Sequence, residues 1–183
     1  MPLPLGHSAV GIAAYSLTDR NVSSLHRLKI IVFVCFLSNL PDIDVLIGLL
    51  WQGNGNAYHR GPTHSLIFVL IFGFLAANAW RIWSKIPKLG FGSCSLFILS
   101  HILADFFLSG SPISFLWPLE TNWSLGHSGW SDVIGAVFLE SPQDTVLICI
   151  CAAIIILSRM RKEYFQRSTS SSFQHFFKSM RIF

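Results

Sequence analysis

The chain has 183 residues, of which 52% are hydrophobic and only 12% charged, whereas soluble domains carry about 25% charged residues. With a mean hydropathy of +0.55, this composition excludes an ordinary soluble globule, and six Trp and sixteen Phe exclude disorder, which needs low hydrophobicity and high charge. A net charge of +4 would suit nucleic acid, but the placement of the basic residues points to a bilayer, so no nucleic-acid partner is expected.

The N-terminal MPLPLGHSAV has no basic region ahead of its apolar stretch, so no cleaved signal peptide is expected. His7 to Leu17 is apolar but short, a half-buried helix or a short span. A second apolar stretch runs from about Leu28 to Leu40 and stops at Pro41, because the residue before a proline is pushed out of the helical region. Leu66 to Trp83 and Leu89 to Leu108 qualify well as spanning helices, which need about 20 mostly apolar residues. Val146 to Leu157 follows, and it extends backward through Val133 to Leu139 if Ser141-Pro142 is a kink or a break. Cys35, Cys94, Cys149 and Cys151 lie in apolar runs without ligand-like spacing and read as small hydrophobes. The expected fold is all-α, an integral membrane bundle of four to five transmembrane or half-membrane helices over 1–158. A basic, aromatic tail over 159–183 is expected to lie on the cytoplasmic leaflet.

Basic residues set the orientation. Arg20, Arg27 and Lys29 precede the second stretch; Arg81, Lys85 and Lys88 separate the two long ones; Arg159, Arg161, Lys162, Arg167, Lys178 and Arg181 follow the last. Placing all twelve in the cytoplasm satisfies the positive-inside rule with alternating helices, so a multi-pass inner (plasma) membrane protein with a cytoplasmic C-terminus is expected. Arg60 alone then lies outside. The outer ends and loops independently collect His7, Asp42, Asp44, His59, His64, Asp105, Glu120, His127 and Asp132, with His101 one or two turns deeper.

Four elements carry chemistry. In Leu40-Pro41-Asp42-Ile43-Asp44, two carboxylates after a helix-ending proline suit a metal ion, or either one caps the next helix. In His59-Arg60-Gly61-Pro62-Thr63-His64-Ser65, Pro62 forbids one continuous helix, so a turn must present two imidazoles, the commonest metal-ligating side chain. Arg60 suits a bidentate grip on phosphate or carboxylate, or a lipid headgroup. In His101-Ile102-Leu103-Ala104-Asp105 the i, i+4 spacing puts both polar groups on one helix face, as ligands or as a simple pair; ionisable groups at membrane depth read as functional. His7 opens the first apolar segment. The metal-ligand candidates are therefore His7, Asp42, Asp44, His59, His64, His101 and Asp105, enough for one or two divalent ions, Zn²⁺ first among them.

In this order, His7, LPDID, HRGPTHS, HILAD and Leu116-Trp117-Pro118 resemble the YdjM-like family of membrane-bound metal-dependent hydrolases, from about Gly6 to Trp117 and up to Asp132. The resemblance implies an integral membrane α-helical protein with a hydrolytic role. A more distant likeness to zinc-dependent phospholipase C, an all-α enzyme whose HxxxD/E ligands resemble His101 and Asp105, favours a phosphoester substrate. The resulting expectation is a hydrolase of a lipid or lipid-linked phosphoester at the non-cytoplasmic face, driven by metal-activated water. Asp44 would orient that water or take its proton, Arg60 would hold the anionic group, and Ser65, Trp117 and His127 would contact substrate. Two other classes compete: an ion- or proton-conducting transporter using His101 and Asp105, and a non-catalytic membrane protein stapled by its metal.

Overall fold

A computed structural model describes residues 4–18, 23–55, 57–108, 112–119 and 143–180, with the side chains of the last helix described over 145–164. Among the described residues the regular structure is helical: α1 (Pro4–Thr18), α2 (Ser24–Ser38), α3 (Ile43–Gln52), α4 (Leu66–Asn78), α5 (Phe91–Leu108) and α6 (Gln143–Met180). Short 3-10 turns cover Leu40–Asp42, Pro62–His64 and Ala79–Arg81. Residues 120–142, including Glu120, Trp123, His127, Asp132 and the backward extension through Val133 to Leu139, lie outside the described residues.

Prolines place the breaks. Pro41 opens the 3-10 turn that separates α2 from α3, and Pro62 opens the turn that carries His64. Neither ring can donate a backbone N–H, so each sits where a helical hydrogen bond is absent anyway. His64 ends this turn, and α4 starts after Ser65. There the Ser65 hydroxyl caps the helix by accepting from the Phe68 N–H.

Helix α1 sits at the centre, packed on α2, α5 and chiefly α6, while α4 packs against α5. The core gathers Val34, Leu37, Phe68, Val69, Phe97, Ile98 and Ile102. Small residues allow the close crossings: a methyl added at Gly11 would run into Ser38, and one added at Gly73 into Ser95. Such small contacts are how apolar helices associate where lipid weakens the hydrophobic drive.

The outside is equally apolar. On α4, Ile67, Leu70, Ile71, Phe74 and Leu75 are all exposed, a continuous stripe at helical spacing; Leu28, Val32 and Phe36 do the same on α2. Exposed apolar area of this extent marks an interaction with lipid or protein. Cys94 and Cys151 are buried as expected, but Cys149 is exposed and Cys35 only half-buried. No single described helix is long and apolar enough to cross a membrane. Leu25–Ser38 and Leu40–Gln52 pass together as a pair bent by 49°, and Leu66–Arg81 and Phe91–Phe107 are shorter apolar helices. The bend brings α3, which was not among the expected spans, off the end of α2.

Candidate metal centre

Four separate segments deliver the polar cluster. His7 comes from the first turns of α1, Asp42 and Asp44 from the α2–α3 bend, His59 to His64 from the turn before α4, and His101 and Asp105 from α5. His7, His64, His101 and Asp105 are wholly buried, each with 0% of its surface exposed. Asp42, with 19% of its side chain exposed, and Arg60, with 11%, lie nearest the surface.

The imidazoles meet face and edge. The His7 and His101 rings stack 3.7 Å apart, and His64 lies edge-on to both His101 and His59. Three overlapping sets of donors result: His7, His101 and Asp105; Asp42, His64 and His101; Asp44, His59 and His64. Within each set the ligand atoms lie within 4.8 Å of one another. Because His101 joins the first two sets and His64 the last two, the seven expected ligand candidates form one continuous cluster.

Backbone and carboxylate partners set the direction of each ring. His101 Nδ1 lies 2.8 Å from the Ser38 carbonyl, which can only accept, so the Nδ1–H is fixed and Nε2 faces the cluster. Asp44 does the same for two rings: its Oδ1 is 3.1 Å from His59 Nδ1 and its Oδ2 is 3.2 Å from His64 Nδ1. The same carboxylate accepts the Arg60 N–H at 3.2 Å and a short bond from the Thr63 hydroxyl. Four donors fill the roughly four acceptor positions of a carboxylate. Asp44, expected as ligand and proton acceptor, is therefore engaged in aiming His59 and His64 inward.

Inside, the Nε2 atoms of His64 and His101 face each other at 3.3 Å. Asp105 Oδ2 lies 3.6 Å from His64 Nε2, 4.0 Å from His59 Nε2 and 3.3 Å from Arg60 Nε, while its Oδ1 is 3.6 Å from His7 Nε2. Asp42 Oδ1 is 3.3 Å from His101 Nε2. These are ion-pair distances: both ring nitrogens of His7, Nε2 of His59 and Oδ1 of Asp42 have no hydrogen-bond partner. Leaving a buried polar atom unsatisfied costs about 1–3 kcal/mol. A set of imidazole nitrogens and carboxylate oxygens aimed at each other fits a divalent cation. Two nitrogens on one tetrahedral zinc, at about 2.0–2.1 Å each, are separated by roughly 3.3 Å, the distance between His64 and His101.

Burial would lower the His64 pKa, but the Asp105 and Asp44 carboxylates outweigh it and hold the imidazolium above its ordinary 6.5. The ring thus favours a positive charge, of a proton or of an ion in its place.

Around the cluster, Arg60 has a left-handed backbone, φ 67°, rare for a side chain of this size and worth a strain of order 1–3 kcal/mol. That turn points its N–H at Asp44 and its Nε at Asp105 at once. The segment 112–119 straps the turn, through Ser114 N–H to the Arg60 carbonyl and Leu66 N–H to the Phe115 carbonyl. Trp117 belongs to this strap and is exposed. Ser65, expected to touch substrate, is buried and its hydroxyl serves the cap of α4, donating to the Pro62 carbonyl. Thr63 and the Ser38 carbonyl were not anticipated. Thr63 sits inside the recognised heptapeptide, whereas a backbone carbonyl leaves no mark in a sequence.

A family model for YdjM inner membrane protein matches residues 1–165. The chain belongs to the YdjM family. It is also 38% identical over 88 residues to the inner membrane protein YbcI of Escherichia coli (strain K12), a match covering 45% of this chain and 49%, about half, of that relative. No solved structure matches it. Family and relative together support an inner membrane location for this YdjM-family chain.

Proposed function

We propose that this YdjM-family protein is a metal-dependent hydrolase of a lipid or lipid-linked phosphoester, its site opening at the non-cytoplasmic headgroup level of a helical membrane bundle. The observation that carries the reading is the gathering of four His and three Asp from four segments into one buried cluster beside a single outer Arg. Ionisable groups at this density in an apolar bundle are costly, and function is the default reason for keeping them. The apolar stripes on α2 and α4 support a lipid environment, and the confinement of the other twelve Lys and Arg to the opposite segments supports the orientation.

His64, His101, Asp105, His7, His59 and Asp42 would hold one or two ions, Zn²⁺ being the natural choice for this mixture of imidazole and carboxylate. When bound, such an ion lowers the pKa of coordinated water toward about 7 and so supplies hydroxide. Asp44, and Thr63 beside it, keep the rings of His59 and His64 in one tautomer and orientation, as carboxylate partners of metal-binding histidines do. Arg60 holds Asp105 through Nε and stands at the more exposed edge of the cluster, where its guanidinium would meet an anionic substrate group and offset the charge that develops on it. Asp42, the most exposed carboxylate of the set, is better placed than Asp44 to handle a proton at the mouth.

The test is hydrolysis of a phospholipid or a chromogenic phosphodiester in mixed micelles by purified, metal-loaded protein. Turnover that is abolished by chelation and by His64→Ala supports the reading; turnover equal in wild type and His64→Ala contradicts it. A bound metal without turnover would favour the stapled, non-catalytic alternative.

A further inference from the structure

Three of the four clustered imidazoles are held from behind by a polar partner. His59 and His64 have Asp44 at Nδ1, and His101 has the Ser38 carbonyl. His7 has no such anchor: neither of its ring nitrogens has a hydrogen-bond partner among the described residues. Packing fixes this ring, through its stack on His101 at 3.7 Å and 21°. Its place in the cluster therefore depends on how closely α1 lies against its neighbours.

One residue decides that approach. Gly11 stands four residues after His7 on the same face of α1, and both are buried. Against it lie Val34 and Ser38 of α2, themselves four residues apart and wholly buried. A Cβ on Gly11 would overlap Ser38 Oγ and stand 2.9 Å from Ser38 Cβ and 3.2 Å from Val34 Cγ1. Non-bonded carbons pack at about 3.5–4.0 Å, so the two helices would have to part. Beside the crossing, Asn39 Nδ2 donates to Ser8 Oγ at 2.8 Å, which ties the residue after Ser38 to the residue after His7.

This crossing meets the metal centre on both sides. The carbonyl of the same Ser38 accepts the His101 Nδ1–H at 2.8 Å, and His101 is the ring on which His7 stacks. A methyl at position 11 would push α1, which carries His7, away from the backbone that aims His101. The Ser38 hydroxyl has no hydrogen-bond partner among the described residues, so the centre uses the carbonyl and small volume of Ser38.

We infer that Gly11 is a positioning residue of the metal centre: its missing side chain seats His7 on His101 and so sets the affinity for the ion. The inference rests on the metal-centre reading and is independent of hydrolysis.

The experiment compares full-length wild type, Gly11→Ala, Ser38→Gly, the Gly11→Ala/Ser38→Gly double variant and Gly73→Ala in detergent. Zinc affinity is read by competition with a fluorescent chelator. The His7 ring is read separately in metal-free, histidine-labelled protein, by the upfield NMR shift that stacking imposes on its carbon-bound protons, assigned with His7→Gln. Gly11→Ala should bind zinc about tenfold more weakly, the lower end of what losing an orienting partner costs, and its His7 protons should lose the upfield shift. Ser38→Gly removes Cβ and Oγ but keeps the carbonyl, so alone it should change affinity less than about twofold. In the double variant it clears the space for the new methyl and should restore the shift, with affinity within about threefold of wild type. Gly73→Ala makes a comparable overlap with Ser95 between α4 and α5, roughly 9 Å along α5 from His101. It should lower the melting temperature as Gly11→Ala does, yet change zinc affinity less than about twofold, so a general packing defect cannot imitate the effect. Unchanged affinity or unchanged His7 shifts in Gly11→Ala, equal weakening in Gly73→Ala, or a double variant without rescue would each overturn the inference. Wild type that binds no zinc would overturn the metal-centre reading instead, and the metal-free His7 shifts would still decide whether Gly11 seats the ring.

Discussion

His64 and His101 are 37 residues apart in the chain, yet their Nε2 atoms face each other across 3.3 Å of buried space. Each ring is anchored from behind, His64 by Asp44 and His101 by the Ser38 carbonyl. With both Nδ1 atoms carrying protons, the facing nitrogens need a positive charge between them, either the proton of a His64 imidazolium or a metal ion in its place. His64→Ala and His101→Ala are therefore expected to lose bound metal to the same extent, and the double variant no more than either alone. Metal content after gel filtration in a metal-free buffer checks this.

Asp44 aims two of those rings while its own oxygens are engaged. Asp44→Asn keeps the shape but forces one donor against another. Metal affinity should fall about 10–100-fold, the usual effect of removing an outer carboxylate partner, without the outright loss expected for His64→Ala. A competition titration against a fluorescent zinc chelator reads the difference.

Arg60 combines a strained backbone with two carboxylate contacts, its backbone N–H on Asp44 and its guanidinium on Asp105. Glycine takes φ 67° without strain, so Arg60→Gly should unfold within about 1 kcal/mol of wild type while losing the proposed hydrolysis. Arg60→Lys keeps the charge and the strain but not the fork, and it should also be strongly impaired. Thermal unfolding in detergent, paired with the micelle assay, separates the backbone from the guanidinium.

The elevated pKa of His64 sets a pH dependence. In the metal-free protein, attraction between the imidazolium and Asp105 and Asp44 contributes fully below about 6.5 and is lost as pH rises through the higher folded-state value. A metal ion must displace that proton, so apparent affinity should increase with pH across this window and level off above it. Titrations at pH 6, 7 and 8 are expected to show a monotonic gain. A flat profile would mean that His64 is not protonated when it is free of metal.

Much of this was legible in the sequence because two signals are local. Apolar run length located α4, α5 and α6, and the i, i+4 spacing of His101 and Asp105 guaranteed a shared face whatever the fold. Pro41 and Pro62 marked the breaks that place Asp42, Asp44 and His64. The division of labour among the ligands was not legible, because it depends on approach in space. Asp44 differs from Asp42 only because the 59–64 turn folds back over it, and His101 takes its tautomer from a carbonyl on another helix. Ser65 precedes an apolar run, so its capping role was readable by the ordinary rule for helix starts, although a substrate contact was expected of it.

Close helix crossings give an independent check on the bundle. Gly73→Val would drive a branched side chain into Ser95 between α4 and α5, and overpacking of this kind costs about 1–3 kcal/mol. The variant should melt at a lower temperature in detergent, whereas Gly92→Val, where an added carbon meets nothing within 4 Å, should not.

Elemental analysis of the purified full-length protein, wild type beside His59→Ala and Asp105→Ala, bears most directly on whether distant segments make one metal centre. One to two divalent ions per wild-type chain and loss in both variants are expected, although the two positions lie 46 residues apart. Wild type free of metal after expression in zinc-supplemented medium, or variants that retain the full complement, would contradict one shared centre.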